Sequence, residues 1–360
     1  MFNLRDIIRP HLATLKPYSS ARDEYKGNEG IFLDANENAL GSATTEDFNR
    51  YPDPYQWQIK DKLAIIKAIA VDNIFLGNGS DEAIDLLFRL CCRPSIDNVI
   101  ILPPTYGMYD VSANINDVEV RKVLLNGEFQ INVEAVLQAV DAKTKLIFIC
   151  SPNNPTGNNI DVTSINRIIE SFSGIVVIDE AYVDFSTQAS FIQSLRQYPN
   201  VVVLQTFSKA WGLAGLRLGM AFASEAIIAL MNRIKPPYNV NSQTQKIALE
   251  ALANHDKVKK MVKTILQERL ILQEEMKKLA VVEEIFPSDA NFIMVRVKEA
   301  KEVYKYLVTK MIIVRDRSSV QLCDNALRIT VGTADENRQL LQALSHYDYL
   351  KFPDSKYFIA

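Results

Sequence analysis

Three short apolar runs in the middle of the chain are each followed closely by a polar or charged side chain. The runs occupy residues 146–150, 175–178 and 201–204, and their length and apolar character predict buried strands. The polar residues that follow them are, in order, Asn154, Asp179 and Lys209. Because open α/β sheets bind ligands at the carboxyl ends of their parallel strands, we expect these three side chains to share one site.

Lys209 is followed eight residues later by Arg217, in a segment rich in small residues. A partly desolvated lysine at a strand end loses part of its preference for the ammonium form and becomes an amine that attacks carbonyl groups. The planar guanidinium of Arg217 suits a phosphate. A lysine for an aldehyde and an arginine for a phosphate predict a pyridoxal-phosphate site. A solvated lysine and a surface arginine would also explain this motif taken by itself.

Asn154, Asp179 and Tyr182 fit the same cofactor. The Asp179 carboxylate can pair with the pyridinium nitrogen and hold it protonated, which makes the ring an electron sink. Asn154 and Tyr182 can each donate a hydrogen bond to the phenolic oxygen of the ring. Taken singly, Asn154 is also typical of a turn and Asp179 of a helix start. Their order along the chain, each after a predicted strand, favours the cofactor site.

A fourth apolar run, residues 74–76, leads into a segment with two glycines and a serine at the start of a predicted helix. Free backbone N–H groups at such a helix start can bind a phosphate, and the candidates are Gly79, Ser80 and Asp81. The segment is not a dinucleotide-binding motif, because Glu82 stands in place of the third glycine. Tyr106 is predicted to stack on the cofactor ring, although a buried core tyrosine is an equally good reading of that residue alone.

These motifs resemble those of the fold-type I pyridoxal-phosphate aminotransferases, and in detail those of the histidinol-phosphate aminotransferase family. The resemblance extends over nearly the whole chain and includes residues 9–10, 17–22, 33–38, 50–54, 287–292, 314–317 and 327–333. It implies an α/β fold, with a mostly parallel sheet sandwiched by helices and a smaller α/β domain. The cofactor it implies is pyridoxal 5'-phosphate.

The resemblance also implies the reaction and its partners. Transamination of L-histidinol phosphate with 2-oxoglutarate would give imidazole-acetol phosphate and glutamate in histidine biosynthesis. Lys209 would bind the cofactor covalently and then transfer protons, and Ser208 would join Arg217 at the phosphate. In a homodimer, Tyr51 would reach into the site of the partner subunit. The residues implied for the substrate are Tyr18, Asn36, Arg315 and Arg328.

Other functions remain open on the sequence. A threonine-phosphate decarboxylase or an aromatic (phenylalanine) aminotransferase would share most of these motifs. A non-catalytic pyridoxal-phosphate-binding regulatory module is disfavoured, because the lysine, aspartate and asparagine are all present and no DNA-binding segment accompanies them. For Arg317, close to Arg315, we expect only a solvated loop charge.

The chain has 360 residues, of which 48% are hydrophobic, enough for a large core and two domains. We predict an N-terminal arm at 1–44 that forms part of the small domain, a large cofactor-binding domain at 45–236 and a small C-terminal domain at 237–360. In the small domain, the patterns predict a long helix within 256–280 and strands at 291–297, 312–314 and 327–331.

The overall composition excludes several functional classes. A formal charge of −3 argues against nucleic-acid or anionic-membrane binding, and no apolar run approaches a membrane span. The N-terminus lacks the apolar region of a secretory signal. Four cysteines without CxxC spacing suggest reduced thiols and a cytoplasmic protein. The three histidines lie outside all motifs, so we expect no histidine metal site.

Overall fold

The computed structural model describes residues 2–18 and 30–352. Residues 19–22 of the N-terminal motif and residues 353–360 of the predicted small domain lie outside the described residues. In the described ranges, no helix combines the length and the apolar character that crossing a bilayer requires.

A seven-stranded sheet forms the larger part of the molecule. Its strands are β1 (Ile74–Asn78), β2 (Asn98–Ile101), β3 (Glu119–Lys122), β4 (Thr144–Cys150), β5 (Ile175–Asp179), β6 (Val201–Thr206) and β7 (Leu218–Phe222). They lie in the order β1-β7-β6-β5-β4-β2-β3. Only β7 runs antiparallel to its neighbours, and the other pairs are parallel. The prediction of a mostly parallel sheet is confirmed, and the three apolar runs are the adjacent strands β4, β5 and β6.

Helices cover both faces of this sheet. They are α1 (Leu4–Ile7), α2 (Pro10–Ala13), α3 (Trp57–Lys67), α4 (Gly79–Cys91), α5 (Met108–Ile115), α6 (Val133–Ala139), α7 (Val162–Ser171), α8 (Glu225–Ile234), α9 (Ser242–Ala253) and α10 (His255–Met276). Successive residues of a strand point to opposite faces. Accordingly, Val177 of β5 is buried against α4, α5 and α8. Its neighbours Val176 and Ile178 are buried on the face covered by α3, α6 and α7.

A four-stranded antiparallel sheet follows, with α11 (Ala300–Thr309) and α12 (Ala334–Lys351). Its strands are β8 (Val282–Ile285), β9 (Phe292–Val297), β10 (Arg315–Asp316) and β11 (Ala326–Thr330), in the order β10-β11-β9-β8. In β11, Leu327 and Ile329 are buried against the helices. Arg328, between them, therefore points to the opposite face of the sheet.

One prediction about this part of the chain was wrong, and one strand was missed. Residues 312–314 do not form a strand, because pairing with β11 begins only at Arg315. Ile312 and Val314 are half-buried and pack against the core of the small sheet. Strand β8 was not expected, since its burial pattern shows two exposed residues between half-buried ends. The predicted long helix is α10, which begins at His255 and ends at Met276.

The start of the N-terminal arm packs on the large sheet. Ile7, Ile8 and Leu12 are buried with α4 and α8, and the Arg233 guanidinium donates to the carbonyl oxygens of Leu12 and Ala13. This part of the arm thus differs from the prediction that residues 1–44 belong to the small domain, because its apolar side chains cover the helices of the large sheet. The boundaries at 44/45 and 236/237 remain predictions.

Candidate active site

A cleft of about 790 Å³ lies between the carboxyl ends of the central parallel strands and the face of the small sheet that carries Arg328. Twelve of the fifteen predicted site residues line it. They are Gly79, Ser80, Asp81, Tyr106, Asn154, Asp179, Tyr182, Ser208, Lys209, Arg217, Arg315 and Arg328. The structure therefore brings residues from distant parts of the chain into one cleft, as the strand-end argument predicted.

The buried Asp179 carboxylate is held by two donors. Asp179 is the last residue of β5 and is only 3% exposed. The Tyr109 hydroxyl donates to its Oδ2 at 2.7 Å, and the backbone N–H of Ala181 donates to its Oδ1 at 3.1 Å. Burial nevertheless raises the pKa of Asp179 to about 6. A cation placed against this carboxylate would relieve that cost, since an opposite charge favours the ionised form.

Lys209 lies three residues beyond the end of β6, and its side chain enters the cleft. Its Nζ is 5.5 Å from the ring centroid of Tyr182. Burial lowers the pKa of Lys209, and the positive charge of Arg328 lowers it further. A larger fraction of Lys209 is therefore the neutral amine than for a solvated lysine, which is the form that attacks an aldehyde.

The start of α4 forms a backbone-lined pocket beside Arg217. Gly79 has a φ of +74°, and a Cβ there would lie 2.9 Å from Nη2 of Arg217. Gly219 of β7 packs so closely that a Cβ on it would lie 2.1 Å from the Ser80 nitrogen. Only glycine fits such a close approach. The Arg217 Nη1 also lies 3.5 Å from the Ser208 hydroxyl, so a hydroxyl and a guanidinium lie beside the helix start. The Gly79 N–H itself donates to the Arg217 carbonyl oxygen at 2.8 Å.

The two acidic residues of this helix start have different orientations. Glu82 folds back, accepting a hydrogen bond from the Asn78 backbone at 2.5 Å and one from Asn239 at 3.1 Å. Asp81 faces the cleft instead, where it accepts from the Tyr106 hydroxyl at 3.1 Å and lies 3.4 Å from Arg217. Asp81 thus contacts the same guanidinium that was predicted to bind a phosphate.

Asn154 and Arg328 are in direct contact across the cleft. The Arg328 Nη1 donates to Oδ1 of Asn154 at 2.5 Å. Because a guanidinium can only donate, this bond fixes the orientation of the amide. The Asn154 NH₂ group is left to donate to a ligand. Arg328 also lies over the Phe292 ring at 5.3 Å.

Three predicted residues lie outside this cleft. Tyr51 and Asn36 line a second hollow of about 500 Å³, in which the Tyr51 ring stacks on Tyr238 at 4.4 Å. Tyr18 is 74% exposed and lines a third hollow, of about 400 Å³, with Arg233. The structure does not bring these three residues to Lys209.

Sequence reasoning missed the roles of Tyr109 and Arg317. Tyr109 lies in α5 and is fully buried against Asp179, and only its apolar helical surroundings were visible in the sequence. Arg317 was expected to be a solvated loop charge, which is wrong, because it lines the cleft with Arg315 and Arg328. Its spacing of two residues from Arg315 was a usable signal, since alternate residues of a strand share a face.

The fold is that of the fold-type I pyridoxal-phosphate-dependent aminotransferases. Similar solved structures include the histidinol-phosphate aminotransferase from Clostridium acetobutylicum, with a TM-score of 0.77 at 23% identity, covering 84% of this chain and 92% of that one. The enzyme of the same name from Sinorhizobium meliloti, in complex with pyridoxal-5'-phosphate, has a TM-score of 0.75 at 23% identity, covering 86% and 88%.

The model of the aminotransferase class I and II family matches residues 23–344. Histidinol-phosphate aminotransferase from Cytophaga hutchinsonii is 56% identical over 96% of this chain and 99% of the relative. The protein of that name from Bacteroides thetaiotaomicron is 53% identical over the same shares. The chain therefore belongs to the aminotransferase class I and II family, in the branch of the histidinol-phosphate aminotransferases.

Proposed function

We propose that the protein transaminates L-histidinol phosphate with 2-oxoglutarate, using pyridoxal 5'-phosphate, and that it acts in histidine biosynthesis. The observation that carries the proposal is the convergence of Lys209, Asp179 and Arg217 in one cleft opposite Arg315 and Arg328. The high identity to relatives named for this activity supports it over the phenylalanine aminotransferase and the threonine-phosphate decarboxylase.

The residues of the cleft fit the cofactor. A glycine-lined helix start beside a guanidinium and a hydroxyl suits a phosphate. The buried Asp179, whose pKa is raised to about 6 by burial, suits a protonated ring nitrogen. The Asn154 amide, oriented by Arg328, and the Tyr182 hydroxyl are suited to the ring oxygen. Tyr106 is proposed to lie against the ring face.

When bound, the cofactor supplies an aldehyde for the amino group and a ring that accepts electrons from the substrate carbon. Lys209 would hold the cofactor at that aldehyde through its Nζ. When it is not attached to the cofactor, the Lys209 amine would take up and return the proton that moves in the reaction. The Asp179 carboxylate would hold a positive charge at the ring nitrogen, and Tyr109 and the Ala181 N–H keep that carboxylate in place.

The arginine pair at the small sheet is proposed to bind the acidic end of each substrate. Arg315 and Arg328 are register partners in β10 and β11, so their side chains lie side by side on one face of the sheet. Histidinol phosphate has no carboxylate but carries a phosphate ester, whereas 2-oxoglutarate carries carboxylates. A guanidinium binds either anion with two parallel hydrogen bonds.

We also propose a cytoplasmic homodimer in which Tyr51 completes the partner's phosphate site and Asn36 and Tyr18 contribute to substrate binding. The exposure of Tyr51 and its position outside its own cleft support this assembly. The four cysteines are unpaired and buried, which is consistent with a reducing compartment.

One assay tests the proposed activity. Purified protein with histidinol phosphate and 2-oxoglutarate should form glutamate, and phenylalanine and threonine phosphate should react much more slowly. Rapid turnover of phenylalanine without turnover of histidinol phosphate would contradict the proposal. Release of carbon dioxide from threonine phosphate would favour the decarboxylase.

A further inference from the structure

Arg317 lies on the same face of the small sheet as the two arginines assigned to the substrate. Arg315 pairs with Arg328 in the β10–β11 register, and the pairing continues with a hydrogen bond of 2.8 Å from the Arg317 backbone to Ala326. Arg315 and Arg317 are two residues apart, so they share one face of the extended chain. All three guanidinium-bearing side chains line the cleft.

No described carboxylate lining the cleft is paired with these three cations. The two carboxylates of the lining are Asp81, which contacts Tyr106 and Arg217, and Asp179, which contacts Tyr109. The nearby Asp316 accepts instead from the backbone and hydroxyl of Ser318. One wall of the cleft therefore carries three positive charges. The guanidinium groups of Arg315 and Arg328 lie near that of Arg317.

Arg317 is also poorly satisfied within the protein. It is half-buried, and its Nε is a buried donor that has no hydrogen-bond partner among residues 2–18 and 30–352. Burial lowers the pKa of Arg317, and the charges of Arg328 and Arg315 lower it further. A buried donor without a partner destabilises a protein, and so does a cluster of like charges. An anion bound in the cleft beside the three guanidinium groups would relieve the repulsion among their charges.

We propose that Arg317 is a specificity-determining residue that makes this wall prefer a dianionic phosphate ester over a carboxylate. The inference rests on the proposed function and goes beyond the Arg315–Arg328 pair. Two guanidinium groups are enough for a carboxylate, which has one negative charge and two oxygens. A phosphate ester has up to two charges and three free oxygens, so a third cation adds binding that a carboxylate cannot use.

The test is the variant Arg317→Gln, which removes the charge and keeps a polar side chain. In the holoenzyme, its KM for histidinol phosphate should rise roughly tenfold or more, as expected for a lost charged hydrogen bond. Its KM for 2-oxoglutarate should change less than about threefold. Arg317→Lys should recover part of the loss. The matched control is Arg296→Gln, since Arg296 lies on the same sheet but pairs with Glu284 outside the cleft lining.

A second readout does not depend on turnover. In chloride buffer, the Arg317→Gln holoenzyme should melt at or above the wild-type temperature, because a repulsive charge is removed. Inorganic phosphate at constant ionic strength should stabilise the wild type more than acetate does, and the variant should lose this difference. A lower melting temperature together with equal increases in both KM values would assign Arg317 a structural role and overturn the inference. If the wild type uses histidinol phosphate but Arg317→Gln leaves the ratio of the two KM values unchanged, the inference is also overturned. If the wild type is inactive on histidinol phosphate, the proposed function is refuted instead.

Discussion

The Tyr109 hydroxyl donates a 2.7 Å hydrogen bond to the Asp179 carboxylate, and both side chains are buried. Tyr109 is in turn stacked on Phe148 of β4 at 4.8 Å, so the donor is fixed by the core and not by a loop. A buried carboxylate without such donors favours its protonated form. Tyr109 is therefore a positioning residue that keeps Asp179 ionised and oriented toward the cleft.

Tyr109→Phe should leave the fold intact and reduce turnover. Loss of the hydroxyl leaves a buried acceptor less satisfied, at a cost of about 1–3 kcal/mol, and the pKa of Asp179 should rise above its present value of about 6. In the cofactor-free protein, the pH range over which Asp179 affects unfolding stability should therefore move to higher pH, and kcat of the holoenzyme should fall. Tyr198→Phe is a suitable control, because its hydroxyl contacts the exposed Glu170. An unshifted pH profile of unfolding stability would show that the Tyr109 hydroxyl does not control Asp179.

Asp179→Asn should stabilise the cofactor-free protein at alkaline pH. The carboxyl has a pKa of about 6 in the folded protein against 3.8 as its ordinary value, so the native state loses stability as the pH rises through this interval. The amide removes that loss, which corresponds to about 3 kcal/mol at pH 8 and roughly half as much at pH 5. Urea unfolding at both pH values measures the difference. With the cofactor bound, the variant should instead be less stable than the wild type, because the ring nitrogen loses its counter-charge. A variant that is less stable at pH 8 without cofactor would contradict this account of Asp179.

Lys209→Ala should retain the fold but lose transamination by several orders of magnitude, since the covalent attachment point and the proton-transferring amine are removed together. In the wild type, borohydride reduction followed by peptide mass spectrometry should find the cofactor on Lys209. Lys60 provides an internal control, because it is also buried and its pKa is lowered to about 8, mainly by burial. Label on Lys60 or any other lysine would show that the assignment is wrong.

Much of this site could be predicted from the sequence, because strand ends impose the arrangement. Asn154, Asp179 and Lys209 follow adjacent parallel strands, so their meeting in one cleft required no knowledge of distant packing. The direction in which Asp81 and Glu82 point depends instead on Arg217 and Asn239, which lie far away in the chain. Such contacts leave no local signal in the sequence.

Arg217→Ala should weaken cofactor binding more than it lowers the turnover of the saturated enzyme. A charge-assisted phosphate contact is lost, which predicts a dissociation constant at least roughly tenfold higher, and Asp81 would then face the phosphate without its cationic neighbour. Asp179→Ala should show the opposite balance, with the larger effect on kcat. Cofactor titration and saturated kinetics separate the two effects. Arg338→Ala serves as control, because Arg338 is exposed and pairs with Asp335 on α12. If Asp179→Ala caused the greater loss of affinity, the two roles would have to be exchanged.

Mixing two inactive variants should test whether Tyr51 acts in the partner's site. Tyr51→Phe removes the hydroxyl but keeps the ring that stacks on Tyr238, so the local structure should persist. In a hybrid with Lys209→Ala, one of the two sites has both an intact lysine and an intact tyrosine. Random mixing should thus restore about a quarter of the wild-type activity.

Lys209→Ala mixed with Asp179→Ala is the matched comparison. Lys209 and Asp179 line the same cleft of one chain. Each site of that hybrid therefore lacks one of them, and no activity should return. Absence of recovery with Tyr51→Phe, or full activity in a sedimenting monomer, would place Tyr51 outside the partner's site.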